Sequence, residues 1–169
     1  MLIIAGNETT RNATTGGLHA LISHPDQWER LKRDPSLAST AAEEIVRWTS
    51  PVIQFTRIAT ADTALHGQQL REGDVLALFY PSAGRDEDIF EQPSTFDIGR
   101  YPNPHISFGI GEHFCLGANL ARLELQVMFR QLAERMESVE LAGPTQRMRS
   151  SFVGGIKHMP IRYRLRAQP

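Results

Sequence analysis

The sequence has little cysteine, almost no net charge and no long apolar run. Its 169 residues include one cysteine, which excludes an internal disulfide and a zinc site with four cysteine ligands. The formal net charge is -1, so we expect no nucleic-acid partner and no general attraction to anionic membranes. No apolar run approaches the length of a membrane span, and the first residues lack the basic leader of a signal peptide. An unpaired thiol fits a reducing compartment, so we expect a cytoplasmic protein without a membrane span.

The rest of the composition is that of a globular domain. Hydrophobic residues make up 41% and charged residues 22%, and a chain of this length can bury one modest core. Apolar spacing predicts helices over about 2–22, 24–33 and 40–48, and a long helix from just after Cys115 to about Met136. The apolar residues on or near one face of this long helix are Leu116, Leu120, Leu123, Val127 and Leu132. The segments IQFTRIAT and DVLALFY predict short strands, and His66–Gly67 predicts a turn between them. A glycine pair near the end predicts a terminal hairpin. The order of elements therefore predicts a mainly α fold with small β-sheets.

The stretch FGIGEHFCLG places the cysteine among glycines, just before the long predicted helix. Backbone N–H groups at a helix start favour a thiolate at Cys115. Gly111 and Gly117 have no Cβ, so the backbone could come close to something flat and bulky, and Phe108 could cover the sulfur from the side. A thiolate presented in this way can act as a nucleophile or as a metal ligand. The plainer alternative for a lone cysteine is a small buried hydrophobic residue.

The spacing of these four residues carries a family resemblance. Phe108, Gly111, Cys115 and Gly117 give F-x-x-G-x-x-x-C-x-G, which resembles the haem-thiolate signature of cytochromes P450. By this resemblance, Cys115 is the proximal thiolate ligand of the iron of haem b, with the other three residues around the cofactor. Thiolate ligation pushes electron density toward the iron and favours O–O cleavage.

Three basic side chains match further positions of the family. Arg57, in QFTRIAT, and His113, two residues before the cysteine, match positions that hold the haem propionates, where a cation beside a carboxylate is the expected pairing. The alternative for Arg57 is an ordinary exposed strand residue. His105, in PNPH, falls where the family often has histidine, and we interpret it as structural.

An acid–base pattern on the short third predicted helix supports the resemblance independently of the cysteine segment. Thr40 and Glu43 form a capping-box pattern that opens the helix, and Glu44 with Arg47 reads E-x-x-R. Taken alone, such a pair is usually a solvated surface pair. It resembles, however, the P450 pair that locks the core, whose third partner is matched by Arg100 in an F-x-x-x-R pattern. Arginine suits this role because its fork can satisfy a carboxylate and several carbonyls at once.

The beginning of the chain resembles the oxygen-binding segment of the family. AGNET matches the A-G-x-[D/E]-T pattern, in which small residues, here Ala5 and Gly6, leave room over the iron. Thr9 would supply a hydroxyl to the bound dioxygen, and Glu8 would help to relay protons from solvent. Ala5 and Thr9 are four residues apart and lie on one helix face. The alternative is that Thr9 is an ordinary polar helix residue.

The resemblance covers essentially the whole chain and implies the C-terminal part of the P450 fold. Residues 1–169 are then the C-terminal portion of a single domain whose N-terminal half is absent. The implied activity is monooxygenation of an apolar substrate with O2, with electrons from a ferredoxin and its NAD(P)H-dependent ferredoxin reductase. Segments such as CLGANLAR and GIKHMP look most like those of soluble bacterial P450s that act on steroids, terpenoids or methyl-branched lipids. We expect substrate contacts from Val52–Phe55 and from Phe152–Gly154. Arg122 is expected either to contact the redox partner or to be an ordinary solvated helix arginine.

Two other functions stay open from the sequence. The chain could be a non-catalytic haem-binding fragment, because most of the substrate pocket of the family lies outside it. It could also be a cysteine hydrolase that uses Cys115 with His113 or His105 as the base. Two residues so close in one tight loop are a poor nucleophile–base arrangement, which disfavours the hydrolase.

Overall fold

The computed structural model describes residues 2–167, with side chains from Ala5 onward. The helices are α1 (Leu2–Ser23), α2 (Pro25–Arg33), α3 (Ala38–Thr49), α4 (Tyr80–Ala83) and α5 (Ala118–Arg135), with 3-10 turns at Pro35–Leu37 and Gly111–His113. The strands are β1 (Gln54–Ile58), β2 (Thr63–Leu65), β3 (Gln68–Leu70), β4 (Val75–Phe79), β5 (Met136–Leu141), β6 (Gln146–Arg147), β7 (Ile156–His158) and β8 (Ile161–Leu165). This arrangement confirms the predicted mainly α fold with small β-sheets. Within the described residues, no helix combines the length and the apolar character needed to cross a bilayer.

The strands form four two-stranded antiparallel sheets, which pair β1 with β4, β2 with β3, β5 with β8 and β6 with β7. The β2–β3 hairpin turns at His66 and Gly67, which both have positive φ (47° and 78°), as a tight two-residue hairpin turn requires. An isolated bridge between Val52 and Val153 joins the segment before β1 to the tip of the C-terminal hairpin. The C-terminal residues therefore fold back onto the middle of the chain.

The third helix begins differently from its predicted start. The capping box at Thr40 is wrong in detail, because α3 begins at Ala38 and Thr40 lies in its first turn, where its hydroxyl donates to the carbonyl of Leu37 (3.1 Å). The side chain of Asp34 instead caps the preceding 3-10 turn, which runs directly into α3. The helix ends at Thr49, followed by Ser50 in the left-handed region (φ 36°).

The core lies where α1, α3 and α5 meet. Buried apolar side chains from all three helices form one cluster, in which Leu21, Ile45 and Phe129 are fully buried. The sequence pattern favours a face of the long helix through Leu116, Leu120, Leu123, Val127 and Leu132. That prediction is wrong for the first four, which are exposed (Leu116 by 88% and Leu120 by 61%), whereas Leu132 packs partly buried against the core. The buried stripe of α5 is instead Ala118, Leu125, Phe129 and Ala133.

A glycine on α1 sets how closely these helices approach, which gives a first testable prediction. A Cβ added at Gly17 would lie 2.7 Å from Cγ2 of Ile45 and 2.7 Å from Cζ of Phe129. Gly17→Ala should therefore lower the free energy of unfolding by about 1–3 kcal/mol, as measured by urea titration. Gly6 lies on the same helix, and a Cβ added there would meet no atom within 4 Å, so Gly6→Ala should raise stability by up to about 1 kcal/mol. Equal effects of the two substitutions would contradict the described contact.

Candidate functional site

The cysteine lies in a tight loop that leads into α5. The backbone N–H of Cys115 donates to the carbonyl of Phe108 (2.8 Å), and the N–H of Ala118, the first residue of α5, donates to the carbonyl of Cys115 (3.2 Å). Its side chain is a free, exposed thiol. The loop therefore fixes the backbone of Cys115 at the start of a long helix and leaves the sulfur accessible.

Glycines allow the backbone conformation of this loop. Gly109 and Gly111 both have positive φ (73° and 65°), which a residue with a Cβ rarely adopts. A Cβ added at Gly111 or Gly117 would meet no atom within 4 Å, so both backbone positions face open space. Gly109 was not singled out in the sequence, although its place directly after Phe108 is the signal that could have identified it.

The predicted oxygen-binding residues lie on α1. The hydroxyl of Thr9 donates to the carbonyl of Ala5 (2.6 Å), and the carboxylate of Glu8 pairs with Arg11 (2.6 Å). Thr14 makes the same kind of bond to the carbonyl four residues before it, so the Thr9 bond alone is ordinary helix behaviour. The roles of Glu8 and Thr9 stay predictions.

Two predicted propionate-binding side chains are exposed. Arg57 lies on β1, where its guanidinium donates to the carbonyl of Thr56 (2.9 Å). His113 lies at the end of the 3-10 turn, two residues before the cysteine. Both side chains are thus open to an anionic ligand, which is what the pairing with a propionate requires.

The structure brings Glu44, Arg47 and Arg100 into one cluster. Glu44 and Arg47 are 0% exposed, and Arg47 donates to both carboxylate oxygens of Glu44 (2.7 Å each). Arg100 donates to the same carboxylate through Nε (3.2 Å). The two guanidinium groups also donate to backbone carbonyls, those of Gly84, Glu91, Gln92, Pro93 and Thr95. Two arginines and one carboxylate therefore hold the long irregular segment after α4 against α3.

A second carboxylate, Glu43, faces α5, and the sequence did not predict its partners. Arg122 donates to both of its oxygens (2.6 Å from Nε and 3.0 Å from Nη2), and Nε2 of His105 lies 3.1 Å from Oε2. Burial alone would raise the pKa of Glu43, but the hydrogen bonds from His105 and Arg122 and the positive charge of Arg122 lower that pKa to about 2. Arg122 is therefore not a freely solvated arginine, and its contact with a redox partner stays a prediction.

The two segments predicted to contact substrate are neighbours. The N–H of Ile53 donates to the carbonyl of Phe152 (2.8 Å), and the rings of Phe55 and Phe152 are 5.3 Å apart, edge to face. The side chain of Asn12 on α1 is 2% exposed, and a Cβ added at Gly155, next to the segment that contains Phe152, would clash with its Oδ1. Within the described part of the chain, neither amide atom of Asn12 has a hydrogen-bond partner.

The residues around Cys115 fit a haem. The donor is an accessible thiol on a fixed backbone, and both flanking glycines leave space that a Cβ would occupy. Large apolar side chains beside it are exposed, namely Ile110, Phe114 and Leu116, and these could cover the faces and edge of a porphyrin. Exposed basic groups at Arg57 and His113 suit its carboxylates.

Comparison with known proteins gives one consistent result. The family described as Cytochrome P450 matches residues 1–157. Similar curated proteins include a steroid C26-monooxygenase of Rhodococcus jostii, 48% identical over 165 residues, with 97% of this chain and 35% of that protein covered. A methyl-branched lipid omega-hydroxylase of Mycobacterium bovis is 50% identical over 163 residues, covering 95% of this chain and 38% of that protein. The chain thus spans 35–38% of the length of these relatives.

Solved structures give the same picture. The crystal structure of CYP108D1 from Novosphingobium aromaticivorans superposes with a TM-score of 0.90 at 44% sequence identity, covering 96% of this chain and 39% of that one. Cytochrome P450-153 from the same organism superposes with a TM-score of 0.92 at 42% identity, covering 96% of this chain and 42% of that one.

Proposed function

Because the chain belongs to the cytochrome P450 family, we propose that it forms the thiolate-bearing part of a haem monooxygenase, with Cys115 as the proximal ligand of haem b. The observation that carries the proposal is the accessible thiol of Cys115, whose backbone N–H is bound to Phe108 at the entrance of α5. The relatives are more than twice as long, so the proposal treats residues 1–169 as the C-terminal portion of a single P450 domain.

Different residues of the chain would bind different parts of the haem. Arg57 and His113 would pair with the propionates, and Phe108 would cover the cysteine sulfur from the side. The open space beside Gly111 and Gly117 supports a close approach of the macrocycle to the backbone. When bound, thiolate-ligated haem supplies the activation of O2 by electron donation from the sulfur.

On the face of the haem opposite Cys115, residues of α1 would deliver protons. Ala5 and Gly6 are small and exposed, which leaves room above a cofactor. The Thr9 hydroxyl donates a hydrogen bond to the carbonyl of Ala5 (2.6 Å), so its oxygen lone pairs stay available to accept a hydrogen bond. Glu8 is partly exposed and held by Arg11, so it can exchange protons with solvent and return them toward Thr9.

We propose an apolar substrate of the steroid or lipid class. The apolar segments Val52–Phe55 and Phe152–Gly154 lie side by side, which supports a shared contact surface for such a molecule. The similar proteins named for steroids and methyl-branched lipids support the same class. Electrons are proposed to come from a ferredoxin and its NAD(P)H-dependent reductase in the cytoplasm.

The test is a ferrous–CO difference spectrum of the haem-loaded chain. We expect a red-shifted Soret band that is lost in Cys115→Ser, because a serine hydroxyl cannot supply the thiolate. Ser39→Ala, at an exposed position of α3, is the control and should keep the wild-type band. A band that survives in Cys115→Ser would overturn the ligand assignment.

The same preparation distinguishes the two competing functions. Haem uptake with the red-shifted band, but no turnover with a ferredoxin system and steroid substrates, would favour a non-catalytic haem-binding fragment. Failure to bind haem, together with rapid labelling of Cys115 by a substrate-like acyl reagent, would favour a cysteine hydrolase.

A further inference from the structure

Two neighbouring carboxylates on α3 have separate sets of partners. Glu44 lies in the buried cluster with Arg47 and Arg100. Glu43, one residue earlier, points instead toward α5 and the segment before the cysteine loop, where it contacts Arg122 and His105. The second set, which we call the Glu43 cluster (Glu43, His105 and Arg122), has no part in the function proposed above.

The cluster has a defined hydrogen-bond direction. The backbone N–H of Ser107 donates to Nδ1 of His105 (3.3 Å), so Nδ1 is the acceptor and the ring proton lies on Nε2. Nε2 can then donate to the carboxylate of Glu43, which lies 3.1 Å away. The carboxylate receives its other two hydrogen bonds from the fork of Arg122.

The cluster is partly removed from water. The side chains of Arg122 and Glu43 are 29% and 26% exposed, and that of His105 is 1% exposed. A two-pronged arginine–carboxylate pair in such surroundings is both stronger and more directional than a surface ion pair. Lysine could not replace the arginine, because one ammonium group offers neither the fork nor the flat face.

The flat face of the arginine contacts the cysteine loop. The guanidinium carbon of Arg122 lies 4.6 Å from the centre of the Phe108 ring, and the His105 ring lies 5.8 Å from it on centroids. The carbonyl of Phe108 in turn accepts the N–H of Cys115 (2.8 Å). An unbroken series of contacts thus runs from α3 through Arg122 and Phe108 to the residue that carries the sulfur.

We propose that Glu43, His105 and Arg122 are positioning residues that hold the Phe108–Cys115 segment in place and thereby fix the position of the thiol. The consequence for a haem iron rests on the function proposed above. The placement itself belongs to the protein without its cofactor, so it can be tested separately. Loss of the cluster should release the Phe108 ring and weaken the hydrogen bond between Phe108 and Cys115.

The experiment is site-resolved amide hydrogen exchange of the haem-free chain, with the Cys115 amide as the reporter and the Leu21 amide in the core as the internal reference. In the wild type the Cys115 amide should exchange faster than the Leu21 amide, through local opening of the cysteine loop. Arg122→Gln and Glu43→Gln should each speed this local exchange by about tenfold or more, because the opening no longer has to break the ion pair. Arg122→Lys should not restore protection. Arg130→Gln, at an exposed position of the same helix, should behave as wild type.

Two outcomes would overturn the proposal. One is unchanged exchange at Cys115 in Arg122→Gln and Glu43→Gln. The other is a Cys115 amide whose opening free energy equals that of Leu21 in the wild type and in both variants, which would mean that the loop opens only by global unfolding and that the cluster supports only global stability. Since no haem is present, the ferrous–CO test can fail while this inference holds, and the reverse is equally possible.

Discussion

Replacing Arg47 by alanine should lower the free energy of unfolding by about 3–5 kcal/mol. The side chain is 0% exposed and donates to both oxygens of Glu44 and to the carbonyls of Gly84, Pro93 and Thr95. Its removal leaves a fully buried carboxylate with one arginine in place of two, and it removes the Arg47 donor from the carbonyls of Gly84 and Pro93. Urea unfolding of the haem-free chain, followed by circular dichroism, measures the change.

Two further variants make this test specific to the buried fork. Arg130→Ala, at an exposed position of α5, removes the same side chain and should change stability by no more than about 0.5 kcal/mol. Arg47→Lys keeps the charge but loses the fork, so its stability should fall between those of wild type and Arg47→Ala. A loss below about 1 kcal/mol in Arg47→Ala would show that the cluster is not the support that its contacts indicate.

The second large effect depends on pH. The pKa of Glu43 lies at about 2 in the folded chain against an ordinary value of 4.5, so ionised Glu43 favours the folded state. At about 1.36 kcal/mol for each pH unit between these values, the stabilisation is about 2–3 kcal/mol after allowance for solvent screening. It is fully present above about pH 4.5 and is lost as the pH falls toward about 2.

Glu43→Gln isolates this contribution, because the other titrating groups are common to both proteins. The stability difference between wild type and Glu43→Gln, from urea titrations at several pH values, should be largest near neutral pH and should shrink below about pH 4.5. Glu140→Gln is the matched control, since Glu140 belongs to an exposed pair with Arg162. A Glu43→Gln difference that is constant between pH 7 and pH 3 would rule out the ion pair as its cause.

Much of the fold could be predicted from the sequence where the local signal was strong. The long helix after Cys115 was predicted to reach about Met136 and ends at Arg135, and the turn at His66 and Gly67 is present. These features depend on residues close together in the chain. The buried face of α5 could not be predicted in the same way, because α5 carries apolar residues on more than one side. Only the packing of Phe129 against Gly17 decides which side is covered.

In the candidate site, too, local patterns could be predicted from the sequence and contacts between distant residues could not. The spacing around Cys115 and the E-x-x-R pattern were visible in the sequence, since each lies within a few residues. The partner of Arg122 was not visible, because Glu43 is 79 residues away and its capping-box position offered a different explanation. The contact of Asn12 with Gly155 was also missed, since neither residue stands out until α1 and the terminal hairpin come together.

The paired carboxylates of α3 also bear on how the chain folds. Glu44 reaches Arg100 across 56 residues, and Glu43 reaches Arg122 across 79 residues. Helix α3 can form locally within microseconds, but each of these ion pairs must first close a long loop at an entropic cost. The two carboxylates therefore stay hydrated until the intervening chain has collapsed around α3, and their pairing is a late event. Contacts of such high sequence separation slow the search for the native topology. The contacts of this short helix are therefore complete only after the chain up to Arg122 has folded back onto it.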